Sequence, residues 1–86
     1  MDRVEELLLD NDLEGTAYFI GDDYDTAILG HTDDGRLVYS YEKMVDWLVE
    51  NDNMTPDDAV EWLDYNTIRA IPYMGEKAPV VVYALY

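Results

Sequence analysis

The sequence predicts a small single α+β domain over residues 1–86: a β-hairpin and a C-terminal strand in an antiparallel or mixed sheet, packed by two to three helices. Three observations carry this expectation. Asp33-Asp34-Gly35 lies between Thr26–Thr32 and Arg36–Tyr41, and an Asp-Gly step between two such arms is a strong hairpin signal. Two stretches after it, about Tyr41 to Asn51 and from Pro56 onward, carry apolar side chains at helical spacing. Val80-Val81-Val82-Tyr83 is then a β-branched run of the kind that fits a pleated sheet. A chain of 86 residues with 49% apolar and 13% aromatic content has enough for one modest core and too little for two.

The elements follow in order. Asp2 to Leu9 reads as a helix with Val4, Leu7 and Leu8 on one face and Glu5 and Glu6 outside. It stops at Asp10-Asn11-Asp12. That run, continued by Leu13-Glu14-Gly15, resembles the opening of a calcium loop, but the twelfth position is Gly21 where a bidentate Glu is needed. A helix stop and loop is the preferred reading, with no metal. Thr16 to Ile20 is short, aromatic and apolar, as a strand would be, and Gly21 to Asp25 is an acidic turn. Gly30 inside the first hairpin arm marks a bulge or a close approach. Ser40 is placed to cap the next helix, whose apolar face is Met44, Val45, Leu48 and Val49, with Trp47 on its margin. Thr55 is an N-cap, Pro56 suits the first helical position, and Asp57 and Asp58 sit where the helix dipole favours carboxylates. Ala59, Val60 and Leu63 form a stripe that Trp62 widens. The short link between these helices predicts that they pack as a pair. Pro72 and Gly75 break the chain before the last strand. That strand, apolar at every position, is expected either to be covered on both faces or to carry a patch on one.

Charge is the strongest compositional signal. Twenty acids against five bases give a net −15, and there is no cysteine. Residues 1–35 hold eleven acids and one base, residues 36–68 eight and two, and residues 69–86 one and two. Direct binding to nucleic acid or an anionic membrane needs an excess of Lys and Arg, so both are excluded as partners. A basic protein is the natural complement, and solubility alone is the other use of such charge. Without cysteine, disulfides and thiolate metal sites are out. The amino-terminal residues do not read as a signal peptide, and a cytoplasmic location is expected.

Two constellations are candidate sites. Glu42, Asp46 and Glu50 recur at i, i+4 and i+8, and Asp57, Glu61 and Asp64 follow on the next helix. Carboxylates about 5–6 Å apart along a helix come close to the separation of successive phosphates, so such rows can imitate nucleic acid for a basic groove. A plain solvated face is the alternative. With Asp22, Asp23, Asp25, Asp33 and Asp34 these residues are the expected partner-binding surface, exposed and forming at least one continuous negative face. The second constellation is Tyr65, Asn66, Thr67, Arg69 and Tyr73, a polar and aromatic group between helix and strand that reads either as a pocket or contact surface, or as helix end, ion pair and core. No phosphate loop, nucleophile elbow or zinc spacing is present. His31, the only histidine, has no evident nucleophile beside it and reads as structural or solvated. No cofactor and no catalytic residue are expected.

The segments Gly35-Arg36-Leu37-Val38-Tyr39-Ser40-Tyr41-Glu42-Lys43-Met44, Met54-Thr55, Asp58-Ala59-Val60-Glu61-Trp62 and Tyr65-Asn66-Thr67-Ile68-Arg69-Ala70-Ile71-Pro72-Tyr73-Met74-Gly75-Glu76-Lys77-Ala78-Pro79 resemble a family of short, acidic, uncharacterised proteins from gut bacteria and their phages. The resemblance covers roughly residues 26 to 85. It carries over no catalytic or binding residue. It implies a mobile-element setting, where small acidic proteins often inhibit host defence, anti-CRISPR and DNA-mimic proteins among them. The expected function is therefore a non-enzymatic acidic domain that binds a basic host protein. The alternative is a small regulatory or structural phage protein acting through an apolar surface around the last strand, as a homodimer.

Overall fold

The computed structural model describes residues 3–13, 15–19 and 24–85. They form an α+β domain with three helices, α1 (Arg3–Asp10), α2 (Tyr41–Asn51) and α3 (Pro56–Asn66), and a three-stranded mixed sheet. The strands β1 (Ile28–His31), β2 (Leu37–Ser40) and β3 (Val80–Val82) lie in that order, with β1 antiparallel and β3 parallel to β2. Two 3₁₀ turns, Tyr24–Ala27 and Ile68–Tyr73, connect the larger elements.

The hairpin turns where Asp33-Asp34-Gly35 predicts. Gly35 takes φ +82°, a left-handed backbone that a side chain would strain, and Thr32 closes the turn by accepting the Gly35 N–H at 3.0 Å and donating its own to Arg36 O at 2.7 Å. Pairing slips between Ile28 and Gly30, so the expected bulge is present in β1. From β2, Leu37 and Tyr39 enter the core, whereas Val38 points the other way, as the two-residue period of a strand requires. The parallel register puts Val81 beside Tyr39 on the covered side and leaves Val80 and Val82 on the outer face. Of the two expectations for the last strand, one covered face and one apolar patch is what the chain adopts.

α2 and α3 pack against each other, and α2 also lies on β2 and the Tyr24–Ala27 turn. Met44, Leu48, Ala59 and Leu63 are all fully buried between them and the sheet. Ser40 accepts from Lys43 N at 3.3 Å and Thr55 from Asp58 N at 3.2 Å, so both predicted caps are made. At the end of each helix an asparagine amide returns to the carbonyl four residues back: Asn11 to Leu7 at 2.8 Å, Asn51 to Trp47 at 2.9 Å, Asn66 to Trp62 at 3.0 Å. That donation satisfies one of the carbonyls a helix end leaves open.

Three local expectations are corrected. Thr16 to Phe19 is irregular rather than a strand; it is held by Ala17 N to Lys77 O at 3.2 Å and by Thr16 Oγ1 to Gly35 O at 2.8 Å, without a ladder. Ile20 lies outside the described residues. Val60 is exposed, because the stripe through Ala59 and Leu63 continues toward Trp62 and Val60 stands about 100° away around the helix. Leu7 is likewise exposed, beside a groove between α1 and β1. At the segment that resembles a calcium loop, Asn11 and Asp12 close α1 instead, with Asp12 in a left-handed conformation at φ 58°. Among the described residues no cluster of three or more His, Asp or Glu is arranged to hold a metal.

Candidate functional site

The helical carboxylates stand where an α-helix of this sequence must put them. With Met44 and Leu48 directed inward, Glu42, Asp46 and Glu50 fall on the opposite side of α2, and all three are exposed. On α3, Ala59 and Leu63 turn Asp57, Glu61 and Asp64 outward in the same way. None of these six forms an ion pair with a described residue.

Four of the five bases are engaged elsewhere. Arg3 pairs with Asp25 at 3.2 Å, Arg36 Nε donates to Ala78 O at 2.7 Å, and Lys77 donates to Asp34 O across the hairpin tip. Arg69 lies with its guanidinium carbon 4.7 Å from the centroid of the Tyr65 ring. Lys43 alone stands in an acid row, where Thr26, Lys43, Asp46, Trp47 and Glu50 line a shallow depression of about 200 Å³.

The two rows meet at Tyr41. Its hydroxyl donates to Asp64 Oδ1 at 2.7 Å, its ring lies 4.5 Å from that of Tyr83, and Glu42 next to it accepts from Ala84 N at 3.1 Å. Burial, followed by the Asp64 carboxylate, pushes the Tyr41 hydroxyl well above its ordinary value. So the start of α2, the end of α3 and the chain after β3 are tied at one point.

The other expected partner-binding acids are placed differently from one another. Asp33 and Asp34 are exposed on the hairpin tip, where the Thr32 hydroxyl donates to Asp34 and holds its carboxyl below the usual value. Asp25 is not exposed: its side chain is 5% accessible and pairs with Arg3, in a short turn whose Tyr24 and Ala27 are core residues. Asp22 and Asp23 lie outside the described residues. His31 is exposed, its Nδ1 2.8 Å from Thr32 O.

Tyr65, Asn66, Arg69 and Tyr73 do come together. With Ala70 and Pro72 they line one open depression of about 590 Å³ where α3 gives way to the Ile68–Tyr73 turn. Tyr65 is 67% and Tyr73 90% exposed, so neither ring is core. Thr67 is buried and lines the neighbouring concavity, not this one.

Two further concavities carry no signal in the sequence, because their walls come from distant segments. Tyr18, Phe19, Tyr24, Trp62 and Met74 enclose about 330 Å³ beside the Tyr65 depression, sharing Asn66 and Ala70 with it. Val4, Leu7 and Leu8 of α1 face Ile28 and Leu29 of β1 across about 410 Å³.

Compared with protein-family models, with curated proteins and with solved structures, the chain gives no match in any of the three.

Proposed function

We propose that this chain is a non-enzymatic interaction domain that engages a basic protein through the carboxylates of α2 and α3. One observation supports this reading above the rest: six exposed helical acids form no ion pair with a described residue, and of the five bases only Lys43 stands among them while the other four are committed to other contacts. Keeping like charges in register at i, i+4 costs about 0.2–0.5 kcal/mol per pair, a cost that a basic partner relieves on binding. Rows with that repeat suit a groove built for phosphates. The partner is accordingly a nucleic-acid-binding host protein, and the chain its inhibitor by DNA mimicry, as in anti-CRISPR and other anti-defence proteins of phages and mobile elements, acting in the cytoplasm. Among the described residues no helix is long and apolar enough to cross a membrane.

Capture of host protein on the immobilised domain, eluted by a salt gradient, tests this. Elution between low and moderate salt is expected, since added salt shortens the Debye length to about 8–10 Å and screens the attraction between exposed charges beyond it. A captured partner indifferent to salt contradicts it.

A second reading has its own support. Val82 at the end of β3, and Tyr83 and Leu85 just after it, are exposed at 39%, 56% and 90%. An exposed edge strand with apolar side chains is a pairing surface, and a second copy of the chain is the simplest occupant. Sedimentation of the wild type and of Val82→Asp separates the readings: a dimer dissociated by the added charge favours the edge, a monomer in both favours the acid rows.

A further inference from the structure

We propose that the depression lined by Tyr65, Asn66, Arg69, Ala70, Pro72 and Tyr73 is the docking site for a proline-rich segment of the partner, held in the polyproline II conformation with an Arg or Lys beside it. The proposal rests on the reading that the partner is a basic protein, and names the segment by which it is gripped.

The groove offers both flat surfaces and donors. Two exposed tyrosine rings, the Pro72 ring and the Ala70 methyl are apolar faces that suit proline rings stacked at the three-residue period of this helix. Tyrosine adds area at low entropic cost, having few rotatable bonds to fix. A proline-rich chain presents carbonyl oxygens with few N–H groups, so its receptor must supply donors more than acceptors. Arg69 has five N–H groups and no acceptor, and it is exposed with its guanidinium carbon over the Tyr65 ring. The two tyrosine hydroxyls add donors of the same kind. The Asn66 amide is already spent on Trp62 O, which leaves its carbonyl oxygen for a backbone N–H flanking the prolines.

Charge supplies the complementarity at one end. Glu61 stands one helical turn before Tyr65, with Asp57 a turn earlier on the same face, and both are exposed. A basic residue next to the prolines meets this stripe, which fixes the direction of the segment. Arg69 therefore distinguishes the proposal from attraction by charge alone. As a cation it repels a basic peptide unless it contributes hydrogen bonds.

The test uses a labelled synthetic peptide with repeated prolines followed by Arg and Lys, measured by fluorescence anisotropy against the full chain. A control peptide keeps the charges and replaces every proline with alanine. The proline peptide is expected to bind the wild type at least about tenfold more tightly than the control, and Tyr73→Ala to remove that difference. Tyr73 is 90% exposed, so its replacement leaves the fold intact by circular dichroism. Arg69→Ala is expected to weaken binding, although it makes the protein more negative. Equal binding of the two peptides, tighter binding by Arg69→Ala, or no binding of either peptide overturns the groove. Equal salt-sensitive binding of both would still leave the acid rows as the contact. Undiminished binding of the proline peptide with the six helical acids changed to Gln or Asn would overturn both the acid rows and the charged end of this site, leaving only the ring contact.

Discussion

Tyr39 and Tyr41 are neighbours but one in sequence and owe their chemistry to different surroundings. Tyr39 is 1% exposed, with the Phe19 ring 4.8 Å away, and burial pushes its hydroxyl from 10.0 up to about 12. The folded value lies above the unfolded one, so Tyr39 supports the fold fully below pH 10 and loses that support as pH rises toward 12. A shift of this size corresponds to roughly 2–3 kcal/mol, at 1.36 kcal/mol per unit. Urea unfolding of the wild type at neutral pH and near pH 12 should show a decline of that order. Tyr39→Phe should show a shallower one, since Tyr41 is raised as well and still titrates. A variant with an undiminished decline would place its cause elsewhere. Leu63 is the corresponding apolar case. It is fully buried between α3 and the rest of the core, and Leu63→Ala should cost about 2–5 kcal/mol by the same measurement at neutral pH.

At the scale of elements, α2 and α3 are built alike. Each has a hydroxyl cap at its start, an asparagine folded back at its end, a small buried stripe and a row of exposed acids. The caps and the end amides support each helix locally, whereas the repulsion between neighbouring acids within each row opposes it. Replacing Glu42, Asp46 and Glu50 with glutamine removes two unfavourable i, i+4 pairs and nearly preserves size and helix propensity. The variant should unfold at slightly higher denaturant, by about 0.4–1 kcal/mol. Under the proposed function it should also bind its basic partner more weakly, chiefly through slower association and with a flatter salt dependence. Unaltered binding by the triple variant would leave the rows a solvated face. The hairpin is a second element of this kind: its bulge at Leu29 and Gly30 interrupts an edge strand, which discourages unwanted pairing there, and β3 carries no such interruption.

For the whole molecule the strongest electrostatic effect is self-repulsion at net −15. Folding brings these charges together, so added salt should raise the melting temperature from low to physiological ionic strength. A melting temperature that falls steadily over that range would show that specific attractive pairs outweigh the repulsion. Arg3–Asp25 is the pair placed to do so, since it joins α1 to the Tyr24–Ala27 turn and one partner is shielded from solvent. Arg3→Gln is therefore expected to destabilise, both by losing this pair and by making the net charge more negative. Calorimetry in a salt series, with and without that change, separates the two contributions.

What the sequence by itself determined lies within a turn or two of each residue. The bounds of α2, the Ser40 and Thr55 caps, the Asp-Gly hairpin, the bulge near Gly30 and the outward direction of the helical acids all follow from spacing and local hydrogen bonding. Even the gathering of Tyr65, Asn66, Arg69 and Tyr73 was legible, because those residues are contiguous enough for one helix end and one turn to hold them. Tertiary structure decided the rest. Whether β3 runs parallel or antiparallel to β2, whether Thr16–Phe19 finds a strand partner, and whether Asp25 meets solvent or Arg3 depend on segments tens of residues away. Apolar periodicity states that a face must be covered. It carries no information about which distant segment covers it, since many partners satisfy a non-directional force equally, and only the packing of the whole chain selects one.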